Sequence, residues 1–393
     1  MKKFFRFIAE ILPIVLIALA IFAYWKKFEP WYGWCNRQRN RVVGTYNIYL
    51  GDKALEKSRE PDANIAKELT KAVKFYNKGL RAFPEHHQAR CNLAGIYVLF
   101  EDYSSAMEQY KIALRYKPDY LECRMDLGIL EAEELSMYDD AIDQFSMVTS
   151  SKRKSKYIPL IYNEVDSTKE NKINAYYNTG LSYRGKTMFL PSEKLRGNKY
   201  MKEAVIAYNK SVEAYNKANK SKLKRKDNYD MLFNLALAHH YLGNTKEAGL
   251  NYCKAIKSAP LNYEAHLNLG ILLDSIKEYD EAITEFTKAG MLIDAGDYQT
   301  VMYLNDLLND SYKKNAIMKE INAQRKTEYQ QNEQKKSFWQ RFIKDKKSKN
   351  EKTQEESTII IKDGKVKLKF PSESEFNKNL KKCESEKIFK EML

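Results

Sequence analysis

Residues 87–118, HQARCNLAGIYVLFEDYSSAMEQYKIALRYKP, decide the fold. A first segment carries Leu93-Ala94 with Tyr97; a second carries Ala106, Tyr110 and Ala113 and is closed by Pro118. The same closing phrase stands 34 residues earlier as Ala72, Tyr76, Gly79 and Pro84. It returns at Ala248, Tyr252, Ala255 and Pro260, and again at Ala282, Phe286 and Ala289. Ahead of the phrases sit small-residue segments at Leu127-Gly128, Gly180 with Tyr183, Leu235-Ala236 and Leu269-Gly270. Recurrence in register at such a period marks stacked supersecondary units.

Packing explains the pattern. Two antiparallel helices approach closely only where small side chains meet, so Gly or Ala belongs in the first helix and Ala opposite it in the second. The aromatic one turn later fills the gap beside that contact. Proline then ends the second helix, because it lacks an N–H and disfavours a helical residue before it. One such hairpin cannot bury its own face, so the copies must stack. Few glycines and prolines (15 and 9) agree with an all-α body.

This pattern resembles the tetratricopeptide repeat family over residues 53–310. The resemblance implies a right-handed superhelical solenoid whose first helices line a concave groove that holds an extended or helical protein segment. The residue two places before each Gly/Ala contact is Asn92, Asn178, Asn234 or Asn268, with Asp126 in the intervening copy. A column of amides there suits a peptide backbone; the alternative is that each Asn bridges neighbouring helices. Tyr177, Phe233, His240 and Tyr241 would add aromatic contacts or core. The array is irregular at 150–172 and 184–200, and the copy starting at 121 is one residue longer. The first hairpin's first helix fits residues 36–56, with Gly44 at the close contact. Five to six hairpins are expected, in one array or two.

Residues 11–25, ILPIVLIALAIFAYW, form an uncharged apolar run between Lys2, Lys3, Arg6 and Lys26, Lys27. Extended back to Phe4 it approaches the ~30 Å of a bilayer core, so 1–27 is read as a transmembrane anchor and 28–52 as a juxtamembrane segment or first helix. Trp25, Trp31 and Trp34 would sit at the membrane interface. A signal peptide cleaved after Ala18-Leu19-Ala20 is the competing reading, and the apolar residues beyond it favour the anchor. Cations are denser after the run (Lys26, Lys27, Arg37, Arg39, Arg41), which tilts the rest toward the cytoplasm with the extracytoplasmic side still open. Five cysteines without a CxxC pair read as free thiols in a reducing compartment.

Residues 298–310 continue as an amphipathic helix with Val301, Leu304 and Leu307 or Leu308 on one side, fit to cap the array. Residues 311–356 are a basic helix or linker in which Phe338, Trp339 and Phe342 could face anionic lipid. Residues 357–393 read as a β-hairpin around Asp363-Gly364 followed by a helix. The chain also resembles bacterial envelope-assembly proteins that hang a repeat domain from an N-terminal helix, though it lacks their paired-cysteine module.

A membrane-anchored scaffold acting in envelope assembly or secretion is the leading expectation. A net charge of +15 keeps a nucleic-acid- or lipid-binding adaptor as the alternative, with nucleic acid disfavoured because the cations are spread and most tyrosines sit at repeat-core positions. No nucleotide loop, Gly-Ser elbow or HExxH occurs, so neither catalysis nor a cofactor or metal is expected. An enzyme would need a site in the C-terminal third.

Overall fold

The computed structural model describes residues 2–151, 167–218, 228–294, 296–341, 359–362, 365–368 and 383–392. The chain divides into two compact units, Met1–Lys154 and Ser155–Leu393.

The first unit holds α1 (Lys2–Lys57), α2 (Ile65–Ala82), α3 (His87–Leu99), α4 (Tyr103–Tyr116), α5 (Leu121–Ile129) and α6 (Tyr138–Ser150). They pair as three hairpins, with α2 packed on α3 and α4 on α5. Polar caps start several of these helices: Asn64 accepts from the Lys67 N–H (3.0 Å) and Asp102 from Ser105 (3.1 Å). Small residues sit where the sequence places them. A Cβ on Gly44 would lie 2.6 Å from that of Phe83, and one on Gly128 would lie 2.6 Å from the Phe145 ring. The extra residue of the third copy is absorbed by a π-helical turn, Leu130–Glu134, where the Leu135 N–H reaches back five residues to the Leu130 carbonyl (3.2 Å).

The second unit holds α7 (Ser167–Gly185), α8 (Lys199–Lys217), α9 (Tyr229–Leu242), α10 (Thr245–Ser258), α11 (Tyr263–Ser275) and α12 (Tyr279–Leu292), again three hairpins. Gly180 and Gly270 lie against Tyr208 and Phe286. The long helix α13 (Tyr298–Arg341) closes the stack. Its Leu304 and Leu308 are buried, and Ser311 Oγ and Lys314 Nζ donate to Asp274 at 2.6 and 2.7 Å. Strands β1 (Ile359–Lys362) and β2 (Lys365–Leu368) pair antiparallel with Ile361 opposite Val366. Asp363-Gly364 and Phe342 lie outside the described residues.

A short helix, α14 (Glu386–Glu391), docks on α10. Its Phe389 is fully buried over Gly249, where a Cβ would come within 2.4 Å of the ring. Lys246 Nζ donates to the Met392 carbonyl (2.6 Å), Lys257 pairs with Glu386, and Cys383 is disulfide-bonded to Cys253. Residues 246, 249, 253 and 257 form one stripe of α10, so the C-terminal segment lies along a single helix face.

Two expectations change, and a third, the membrane anchor, gains no support. Among the described residues no helix is long and apolar enough to cross a membrane. The run 11–25 alone reaches only roughly 22 Å, and α1 carries it without a break into the first hairpin instead of ending as a separate anchor. Two of the five cysteines are joined rather than free, across 130 residues. The basic segment after 311 is no separate helix either, since α13 runs continuously to Arg341.

Candidate functional site

In the second unit the expected groove residues come together. Tyr177 and Arg184 lie two turns apart on one stripe of α7, and Asn234 and Tyr241 on the matching stripe of α9. Asn234 Nδ2 donates to Tyr177 Oη (3.0 Å) and to the Asp230 carbonyl (2.9 Å), while Oδ1 accepts from the Arg184 guanidinium. Both amide hydrogens of Asn234 are therefore used, and this residue ties α7 to α9. Asn268 is half-exposed on α11 and donates within its own helix to the Glu264 carbonyl (2.8 Å). Asn178 is half-buried on α7, its carbonyl accepting from Ser182 Oγ (2.9 Å). Tyr241 is 41% exposed. Phe233, half-buried, stacks on Tyr229 (5.6 Å) and leans on Tyr252 (6.0 Å), which makes it packing material.

Asn92 belongs to the first unit, where Nδ2 donates to Asp52 Oδ1 (3.2 Å) and Tyr76 Oη (3.4 Å). Asp126 replaces the amide one hairpin on; desolvation by its neighbours pushes its carboxyl up to about 6, against a contact from the Cys91 thiol (3.8 Å). The predicted column is thus two sets, one in each unit.

Sequence reading missed a second repeated feature. Six residues after the closing proline, Arg90 Nε donates to the Pro84 carbonyl (2.7 Å) and its Nη1 to Gln109 Oε1 (2.8 Å). Arg124 repeats this with Pro118 (3.0 Å) and Gln144 (2.8 Å). His266 stands in the same phase, with Nε2 3.4 Å from the Pro260 carbonyl and Nδ1 2.6 Å from Glu285 Oε2. Each latch satisfies a carbonyl freed at the helix end and joins it to the next hairpin. The signal was present as a cation or imidazole at a fixed offset from each proline, with a Gln or Glu about 19 residues on.

Two buried carboxylates differ. Burial pushes Glu131, in the π-helical turn, up to about 7, and its Oε2 has no hydrogen-bond partner among the described residues. Burial acts the same way on Glu285, but the His266 hydrogen bond and the Lys288 ammonium (2.8 Å) outweigh it and hold the carboxyl below its usual range. No cluster of metal-ligating residues occurs among the described residues. An open depression of about 550 Å³ in the first unit is lined by Lys111, Arg115, Arg124 and Gln144. Arg124 and Gln144 there are already committed to their latch.

Of the expected membrane-interface residues, Trp31 and Trp34 are exposed on α1. The side chains of Trp25, Phe338 and Trp339 lie outside the described residues.

Hairpins repeating at this spacing, three among the described residues of each unit and in the second closed by a terminal helix, define a helical-repeat protein. Residues 233–291, from α9 to α12, match the family described as Tetratricopeptide repeat. Similar solved structures include pilF of Pseudomonas aeruginosa, 14% identical over 69% of this chain and 98% of its own, with a TM-score of 0.47. PilW, described as a widely conserved type IV pilus biogenesis factor, is 14% identical over 66% and 98%, with a TM-score of 0.46. YrrB, described as a TPR protein with an unusual peptide-binding site, is 14% identical over 60% and 99%, with a TM-score of 0.42. At that similarity they bear on neither partner nor site. No curated protein matches the chain.

Proposed function

We propose that the chain is a non-enzymatic scaffold that holds a protein or peptide segment across the first-helix stripes of its hairpins. One observation carries this reading: α7, α9 and α11 present Arg184, Tyr241 and Asn268 on the face that Asn234 and Tyr177 hold together. Half-exposed aromatic and amide groups on a rigid face suit an extended backbone. A photo-crosslinking amino acid at Tyr241 should capture a partner, and one at Ile206, 47% exposed on α8, should not. Equal capture from both positions would sink the groove.

Tethering to a membrane through the apolar run 11–25, for envelope assembly or secretion, is part of the proposal. It rests on the sequence alone, and release of the chain by alkaline carbonate would remove it. The Cys253–Cys383 bond favours an oxidising compartment for the second unit, in place of the cytoplasmic side suggested by the flanking cations. Thiol alkylation in acid-quenched cells decides: labelling of Cys35, Cys91 and Cys123 only means the bond forms in vivo, and labelling of all five returns the unit to the cytoplasm.

A further inference from the structure

The depression of about 550 Å³ in the first unit lies where α4, α5 and α6 meet. Leu114 and Leu127, 8% and 1% exposed, contribute its apolar lining, and Lys111, Arg115 and Arg124 stand around them with one acid, Glu108. Arg124 is held by its latch to the Pro118 carbonyl. Lys111 and Arg115 are held by nothing of the kind. They are exposed and one turn apart on α4. Lys111 Nζ donates to Met107 Sδ (3.1 Å), a weak acceptor, and among the described residues neither cation has a carboxylate partner. Elsewhere the chain closes such sites on itself. A Glu three residues ahead of a Lys is paired at Glu68–Lys71 (2.7 Å) and at Glu285–Lys288 (2.8 Å), whereas Lys111 turns from Glu108, at the same spacing, to the sulfur. Positive charge is in excess around Arg115 as well, since it opposes the guanidinium of Arg90 in the preceding latch.

We propose that this depression is a second docking site, separate from the first-helix stripes, for a carboxylate-bearing segment of a partner protein. A Glu or Asp side chain entering it meets the Lys111 ammonium and the planar fork of Arg115. An apolar neighbour in the same segment covers Leu114 and Leu127. The same residues select against phosphate-rich partners. Two unpaired cations match one or two carboxylates, and Glu108 repels a polyanion at the rim. A phosphodiester chain also brings nothing apolar to cover the two leucines. None of the lining residues belongs to the Asn column, so this segment is additional to the one held by the groove.

The test is the anisotropy of a fluorescent octapeptide of alternating Glu and Leu, titrated with the full chain in mild detergent. Saturable binding that weakens as salt rises is expected. Lys111→Glu with Arg115→Glu should weaken it roughly tenfold, the size of two exposed ion pairs lost together. Both side chains are exposed, so unchanged circular dichroism shows that the hairpins persist. Replacing every Glu of the peptide by Gln should cost about as much. Tyr241→Ala, in the groove of the second unit, should leave the affinity unchanged, so this site and the groove stand or fall separately. No binding by the wild type, wild-type affinity in the double variant, equal affinity for the Gln peptide, or loss of binding with Tyr241→Ala alone would each overturn the proposal. Displacement of the peptide by tripolyphosphate or a single-stranded oligonucleotide at lower concentration than by unlabelled peptide would assign the depression to phosphate and overturn it as well.

Discussion

Glu131 in the first unit and Glu285 in the second are equally buried, at 2% and 1% exposed, yet the first carboxylate costs its unit stability and the second, through its partners, contributes to it. The difference lies in what the neighbouring helix supplies. Around Glu131 the π-helical turn brings a carboxylate inside with one oxygen unmatched. Around Glu285 the latch histidine and Lys288, one turn along α12, complete the site. A buried acid is thus an asset only where its own repeat provides the counter-group.

The sharpest way to break that comparison is Glu285→Ala. Leaving Lys288 and His266 without their acceptor should cost the second unit about 3–5 kcal/mol, read as lost hydrogen-exchange protection in α11 and α12 with α3 and α4 unchanged. Reducing Cys253–Cys383 should cost the same unit roughly 2–5 kcal/mol, measured as a lower urea midpoint in dithiothreitol.

Glu131→Gln should do the opposite in the first unit, adding about 2 kcal/mol at pH 8. The sign follows from the raised value. The folded state keeps the proton up to about 7, whereas the unfolded glutamate releases it near ~4.3. The cost therefore grows as pH rises between those values and is absent at pH 4, where the substitution should be silent in a melting series. Glu285 is held low, so its contribution is present above ~4.3 and fades as pH falls further. Glu386 behaves likewise, lowered to about 2 by Lys257 and Lys390. Acidification should remove the cost of Glu131 from the first unit and loosen both α14 and α11–α12 of the second, as exchange at pH 3 would show.

The smallest contrast separates two asparagines. Asn234→Ala removes the tie between α7 and α9 and should cost about 1–2 kcal/mol; Asn268→Ala should stay within ~0.5 kcal/mol. Equal effects in urea denaturation would mean that the bridge seen at Asn234 contributes nothing.

The repeat was legible because its signal is local and periodic. Gly44, Gly128, Gly180 and Gly270 each meet the neighbour that the spacing required. The lengthened third copy was legible as a count, though not as a π-helical turn, because composition does not say where an extra residue will be stored. Asn92 and Asn234 were legible as positions, and their partners Asp52, Tyr76, Arg184 and Tyr177 were not, because those depend on how hairpins meet. The docking of α14 left no trace that one sequence could show. Cys253 and Cys383 are far apart in the chain, and Gly249 reads as an ordinary small helix residue until Phe389 is placed over it.

The Cys253–Cys383 bond also makes a covalent ring out of the second unit's C-terminal half, with α11, α12 and α13 inside it. A single backbone cut anywhere between those two cysteines opens the ring without releasing a piece. The nicked chain would keep its full mass and fall apart into two only when reduced, so limited proteolysis without reductant would report an intact protein that had already been cut.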